Sequence, residues 1–182
     1  MSQPLAERLR PRNLDEYIGQ KHLVGEGAIL RKMIDSGRIP SFLLWGPPGV
    51  GKTTLAQIIA NTLDTPFYTL SAINSGVKDV REVIEQAKRN QFFDTKSPIL
   101  FIDEIHRFSK SQQDSLLNAV ETGVITLIGA TTENPSFEVI RPLLSRCQVY
   151  VLQSLDKEAL IELAQRAVTQ DTILKERNIQ LK

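Results

Sequence analysis

Apolar residues along this chain keep two rhythms. Short apolar runs at 41–45, 67–71, 99–102, 125–129 and 148–152 predict strands buried in a sheet. Between them the spacing changes to every third or fourth residue. Leu55, Ile58, Ile59 and Leu63 mark one face of a helix over 52–63, and Val80, Val83, Ile84 and Ala87 one over 77–90. Further helices are predicted near 111–121 and 137–144. Residues 1–40 read as a strap ahead of the first strand, with a helix near 27–36 that carries Leu30, Met33 and Ile34 and stops at Gly37. Strands alternating with helices predict an α/β domain on a parallel sheet. After Leu152 the rhythm is helical only. Asp156 can cap a helix running to about Thr169, with Leu160, Leu163, Ala164 and Ala167 on one side. The chain thus divides into a core over 1–153 and a helical segment over 154–182.

The junction between the first strand and its helix carries the strongest chemical signal. Gly46-Pro47-Pro48-Gly49-Val50-Gly51-Lys52-Thr53 satisfies G-x-x-x-x-G-K-S/T, the phosphate-binding P-loop. Glycines let the backbone curl without Cβ clashes, so successive N–H groups and a helix N-terminus face an anion. Lys52 is placed to reach the β- and γ-phosphates. The Thr53 hydroxyl is a ligand for Mg²⁺, a hard cation that prefers oxygen. Thr54 completes the candidate nucleotide-binding stretch.

A second pair of residues bears on the reaction. Asp103 and Glu104 end the run Ile99-Leu100-Phe101-Ile102. Acids at the carboxyl end of a buried strand meet the crevice where open α/β sheets bind ligands. Asp103 fits a Walker B role on Mg²⁺, and Glu104 a group that polarises an attacking water. A water-activating acid argues against a small-molecule kinase, and no Asn-Lys-x-Asp guanine signature is present.

Together with 46–53 and 99–104, the runs Gly129-Ala130-Thr131-Thr132-Glu133-Asn134-Pro135-Ser136-Phe137 and Leu144-Ser145-Arg146-Cys147 resemble AAA+ ATPases of the clamp-loader branch. Leu5-Ala6-Glu7-Arg8-Leu9-Arg10-Pro11, Tyr17-Ile18-Gly19-Gln20-Lys21-His22-Leu23 and Ser75-Gly76-Val77-Lys78 narrow the resemblance to the replication-associated recombination protein A family. The resemblance implies a three-layer P-loop NTPase with a five-stranded sheet in order 5-1-4-3-2, binding ATP and Mg²⁺. It implies that Thr132 is sensor 1, with Thr131 and Asn134 as competitors. Arg146 is then the arginine finger reaching a neighbouring subunit's γ-phosphate, and Tyr17 and Ile18 form the adenine slot. DNA at forks or single-stranded regions, single-strand-binding protein and a homo-oligomer are the implied partners. The segment after Leu152 is then the start of a truncated lid. Rival readings are a clamp-loader subunit, a Holliday-junction branch-migration motor, or a nucleotide-gated scaffold with slow hydrolysis.

Composition narrows this little further. The 182 residues are 41% apolar and 24% charged with net charge +1, so no global electrostatic footprint marks nucleic acid. DNA contact falls to local loops, 74–81 with Lys78 and Arg81, and 106–111 with Arg107 and Lys110. The lone Cys147 excludes an intrachain disulfide. No run approaches membrane-spanning length and the N-terminal stretch is polar, so a cytoplasmic, nucleoid-associated location without membrane contact is expected. His22 and His106 lack partners at metal-ligand spacing and read as hydrogen-bonding residues.

Overall fold

The computed structural model describes residues 3–93 and 96–181. The strap contains helices α1 (Leu5–Arg8), α2 (Lys21–Val24) and α3 (Ile29–Asp35). The core then runs β1 (Phe42–Trp45), α4 (Lys52–Thr62), β2 (Phe67–Ser71), α5 (Val77–Asn90), β3 (Ile99–Asp103), a 3-10 turn at Ile105–Arg107, α6 (Lys110–Glu121), β4 (Thr126–Thr131), α7 (Pro135–Glu138), α8 (Arg141–Leu144) and β5 (Gln148–Val151). α9 (Lys157–Gln170) and α10 (Thr172–Glu176) follow.

All five strands are parallel, in the order β2-β3-β4-β1-β5. This is the expected 5-1-4-3-2 order read from the other edge. Alternation along each strand splits the core into two layers. Phe42 and Leu44 of β1 join Phe101, Ile128 and Ala130 on the face covered by Leu55, Ile58 and Ile59 of α4 and Leu30 and Ile34 of α3. Leu43 joins Leu100, Ile102 and Leu127 on the other face, under Val80, Ile84 and Ala87 of α5 and Leu116 and Ala119 of α6. Phe42 meets Tyr150 edge-on, with ring centroids 5.4 Å apart.

One predicted helix breaks in two. A continuous helix over 137–144 would require Pro142 to donate an amide to the Glu138 carbonyl, and proline has none to give. The chain instead forms α7 and α8 with Val139 and Ile140 extended between them. Asn134 caps α7 by accepting from the Ser136 amide at 3.0 Å. β4 runs two residues past its predicted end, to Thr131.

The strap is stapled to the outer edge of β5 by side chains. The Gln20 amide pairs with Gln153 like a strand neighbour, donating to its carbonyl at 2.7 Å and accepting from its amide at 2.9 Å. His22 Nε2 donates to the Val151 carbonyl at 2.8 Å. These contacts occupy an edge that would otherwise offer unpaired backbone groups. Among the described residues no helix is long and apolar enough to cross a membrane.

The central strand sets the expected stability response. Leu44 is fully buried in β1, whereas Val151 is half exposed on the edge strand. Leu44→Ala is expected to lower unfolding free energy by about 2–5 kcal/mol, and Val151→Ala by far less, both read from urea midpoints at unchanged m-value.

Candidate nucleotide site

Parallel pairing brings the carboxyl ends of β1, β3 and β4 to one edge of the sheet. The chain leaves β1 into the P-loop, where the Gly46 amide donates to the Thr131 carbonyl at 3.1 Å. A Cβ at position 46 would sit 2.7 Å from the Leu152 carbonyl oxygen. Gly51 caps α4 in the left-handed region at φ +94°, and a Cβ there would meet the Tyr17 hydroxyl at 2.9 Å. That hydroxyl donates to the Gly51 carbonyl at 3.1 Å, with the Val50 carbonyl 3.3 Å away. Burial raises the Tyr17 phenol above its ordinary pKa. Tyr17 is therefore a brace for the P-loop as well as a wall of the site.

Lys52 is largely buried, and its ammonium donates to the carbonyls of Gly46 and Pro47, both at 2.7 Å. Burial lowers its pKa, while the charges of Asp103 and Glu104 pull it back up. Asp103 ends β3 beside Ser71 of β2. Glu104 then turns the chain with φ +53°, a left-handed conformation that costs a non-glycine residue energy and clusters at functional sites. Its Oε2 lies 3.1 Å from Arg107 Nε, but the pair is not aligned as a hydrogen bond, and this buried oxygen has no hydrogen-bond partner.

Three residues competed for the sensor position, and their surroundings separate them. The buried Thr131 hydroxyl meets His106 Nδ1 at 2.9 Å, accepts from the Glu133 amide at 3.0 Å and lies 3.1 Å from the Glu133 carbonyl. With the proton on His106 Nδ1, that hydroxyl is saturated. Asn134 is committed to capping α7. Thr132 is half-buried and lines the cavity with no such commitment.

The cavity over these groups encloses about 770 Å³. Its polar end is formed by 48–54, Asp103, Glu104, Thr131 and Thr132. Its other end is mostly apolar, walled by Leu5 and Ala6 of α1, by Leu9, Tyr17 and Ile18, and by Leu160, Leu163, Ala164 and Ala167 of α9, with Arg10, Glu16 and Arg166 also in the lining. Phosphate-like chemistry at one end and a greasy slot at the other suit a nucleotide. The P-loop thus converges with both acids, as do Tyr17 and Ile18. Gly46 and Pro47 enter through their carbonyls on Lys52. Arg146 does not line the cavity. It pairs with Glu121 at the end of α6, and its Nη1 donates to the Pro142 carbonyl at 2.6 Å. The walls from α1 and α9 escaped the sequence reading, although Leu5, Leu9 and the stripe on α9 were visible as apolar positions.

The "ATPase family associated with various cellular activities (AAA)" matches residues 42–155. The chain belongs to the AAA ATPase family. It is 53% identical over 165 residues to replication-associated recombination protein A of Haemophilus influenzae, covering 91% of this chain and 37% of that protein. It is 51% identical over 176 residues to "ATPase WRNIP1" of Dictyostelium discoideum, covering 97% of this chain and 20% of that one. Among solved structures, the Thermotoga maritima RuvB Holliday junction branch migration motor superposes with a TM-score of 0.72 at 34% identity, over 88% of this chain and 54% of the motor. The chain thus spans less than two fifths of the length of these two curated relatives.

The two adjacent threonines of this AAA chain should respond differently to loss of the hydroxyl. Thr131→Val leaves the Glu133 amide and His106 without their partner and is expected to lower the melting temperature. Thr132→Val should leave melting unchanged and lower ATP turnover. Paired calorimetry and steady-state hydrolysis check both, and the reverse pattern would make Thr131 the sensor.

Proposed function

We propose that this chain is the nucleotide-hydrolysing core of a Mg²⁺-dependent ATPase that acts on DNA or DNA-bound proteins in replication-fork maintenance, recombination and repair. The observation that carries the hydrolytic part is Glu104. Its carboxylate lines the same cavity as the P-loop, with Oε2 in an ion pair to Arg107 and no aligned hydrogen bond holding it, placed to accept a proton from a water attacking a γ-phosphate. The DNA part rests on the names of the relatives.

The residues fit the groups the family requires. Gly49 and Gly51 hold the loop in left-handed conformations, with Tyr17 packed where a Cβ at Gly51 would lie, and Thr53 and Asp103 supply oxygen donors of the kind Mg²⁺ takes beside substrate phosphates. Mg²⁺, when bound, neutralises charge on the β- and γ-phosphate oxygens. Lys52 exchanges its two backbone carbonyls for phosphate oxygens. Glu104 orients the water, and Thr132 holds it against the γ-phosphate. The apolar slot receives the adenine. Arg146, outside its own cavity, acts on the site of a neighbouring subunit in a homo-oligomer, where α9 and α10 begin a helical lid. Such a finger can supply about 10³–10⁵ in rate. Lys78 and Arg81 at the start of α5, with Lys110, are the candidate contacts for DNA phosphates. The Gln112 amide donates to the Ser75 carbonyl at 3.3 Å and so ties the first turn of α6, which holds Lys110, to the loop ahead of α5.

Glu104→Gln is expected to keep ATP binding and lower turnover by about 10²–10⁴. Turnover equal to wild type would remove Glu104 from the mechanism. Mixing separately inactive Lys52→Ala and Arg146→Ala proteins should restore part of the activity, because the second supplies an intact P-loop and the first an intact finger. No recovery in mixed oligomers would place Arg146 outside the site.

A further inference from the structure

The two helices that wall the apolar slot, α1 and α9, bury no residue of their own. Leu160 and Leu163 of α9 are 51% and 43% exposed. Packing on the core therefore does not set the distance between these walls. Polar links span them instead. Arg8 Nε donates to Asp171 Oδ2 at 2.7 Å and Arg8 Nη2 to Asp171 Oδ1 at 3.0 Å, a two-pronged fork between residues 163 apart in the chain. Arg166 of α9 also donates to the Glu16 carbonyl, which ties α9 to the strap beyond α1 and not to α1 itself.

Asp171 is unusual among the acids of this chain. It is 4% exposed, stands at the junction of α9 and α10, and caps α10 by accepting from the Leu174 amide at 3.0 Å. Every other ion pair among the described residues has an acid whose side chain is at least 30% exposed. Such exposed pairs contribute little. A buried carboxylate held by a guanidinium fork is directional, and removing one partner leaves a charge without its counter-ion.

We infer that Arg8 and Asp171 are positioning residues for the nucleotide base: their fork locks α1 to the α9–α10 junction and so sets the width of the apolar slot. The inference rests on reading the cavity as an ATP site. The fork touches neither the P-loop nor the acids. Its loss therefore widens the slot and weakens binding of the base while leaving the phosphate end intact.

The test compares ATP with inorganic tripolyphosphate, which has no base, as ligands of the full chain. Arg8→Ala and Asp171→Asn are the variants, asparagine retaining the cap on α10. Each is expected to weaken ATP binding about tenfold, with tripolyphosphate affinity and kcat at saturation unchanged. The double variant should be no weaker than the worse single one, because both changes remove one interaction. Arg8→Lys, which keeps the charge without the fork, should fall between, and it serves if Arg8→Ala melts early. Unchanged ATP affinity in folded variants overturns the inference, as does equal weakening of ATP and tripolyphosphate. A wild-type chain that binds tripolyphosphate no less tightly than ATP would overturn the reading of the slot as a base site, a separate failure.

Discussion

The parallel register of β3, β4 and β1 is the constraint on which the rest depends. Trp45 pairs with Thr131, and Ile102 with Gly129, so three strands end within one crevice. Each strand then delivers a different group: β1 the P-loop, β3 the two acids, β4 the threonines. A slip of one residue in β3 would turn Asp103 and Glu104 to the opposite faces, because side chains alternate along a strand. The buried apolar residues on both faces of β1 and β3 prevent such a slip, since it would exchange Leu100 and Ile102 with Ile99 and Phe101 between two differently shaped layers. The geometry of the crevice is thus held by hydrophobic packing several residues away from its polar groups.

Around that crevice, most polar groups are matched and a few are not. Thr131 is saturated, Tyr17 is spent on the P-loop, and Asn134 is spent on a cap. Lys52 is held by two carbonyls, a neutral partnership for a cation beside two acids. Glu104 combines a strained backbone with a carboxylate oxygen that no donor satisfies. Buried polar groups are normally hydrogen-bonded, and this oxygen has only the Arg107 charge beside it. The contrast between Thr131 and Thr132, adjacent in sequence, shows the same logic at the scale of one residue.

Much of this was legible in the chain, for physical reasons. Strands flanked by helices produce periodicities of two and 3.6 that survive without any partner, so all five strands and the major helices fall within a few residues of their predicted places. The P-loop and Asp103-Glu104 were readable because their chemistry needs particular residue types at fixed spacing. The break between α7 and α8 was also readable in principle, since Pro142 forbids the amide bond that a continuous helix requires. The Ser109-x-x-Gln112 capping box at the start of α6 was a similar unused signal. The different surroundings of Thr131 and Thr132 were not readable, because they turn on a contact to His106 across a 25-residue gap. The Arg8–Asp171 fork lay further still beyond local patterns, as an arginine in a four-residue helix and an acid near the far end carry no periodic signal.

The position of Arg146 follows from the same architecture. It leaves the chain just after α8 and immediately before β5, and its guanidinium is turned toward Glu121 at the end of α6 rather than toward the P-loop. β5 lies beside β1 on one side of the sheet, whereas the acids arrive from β3 on the other. Arg146 is not among the residues that line its own cavity, and Leu143 of the preceding α8 is fully buried. The partly exposed ion pair with Glu121 belongs to a class that contributes little to stability. Arg146 is thus fixed at the surface by Pro142, Ser145 and Glu121, outside the cavity that its own chain forms.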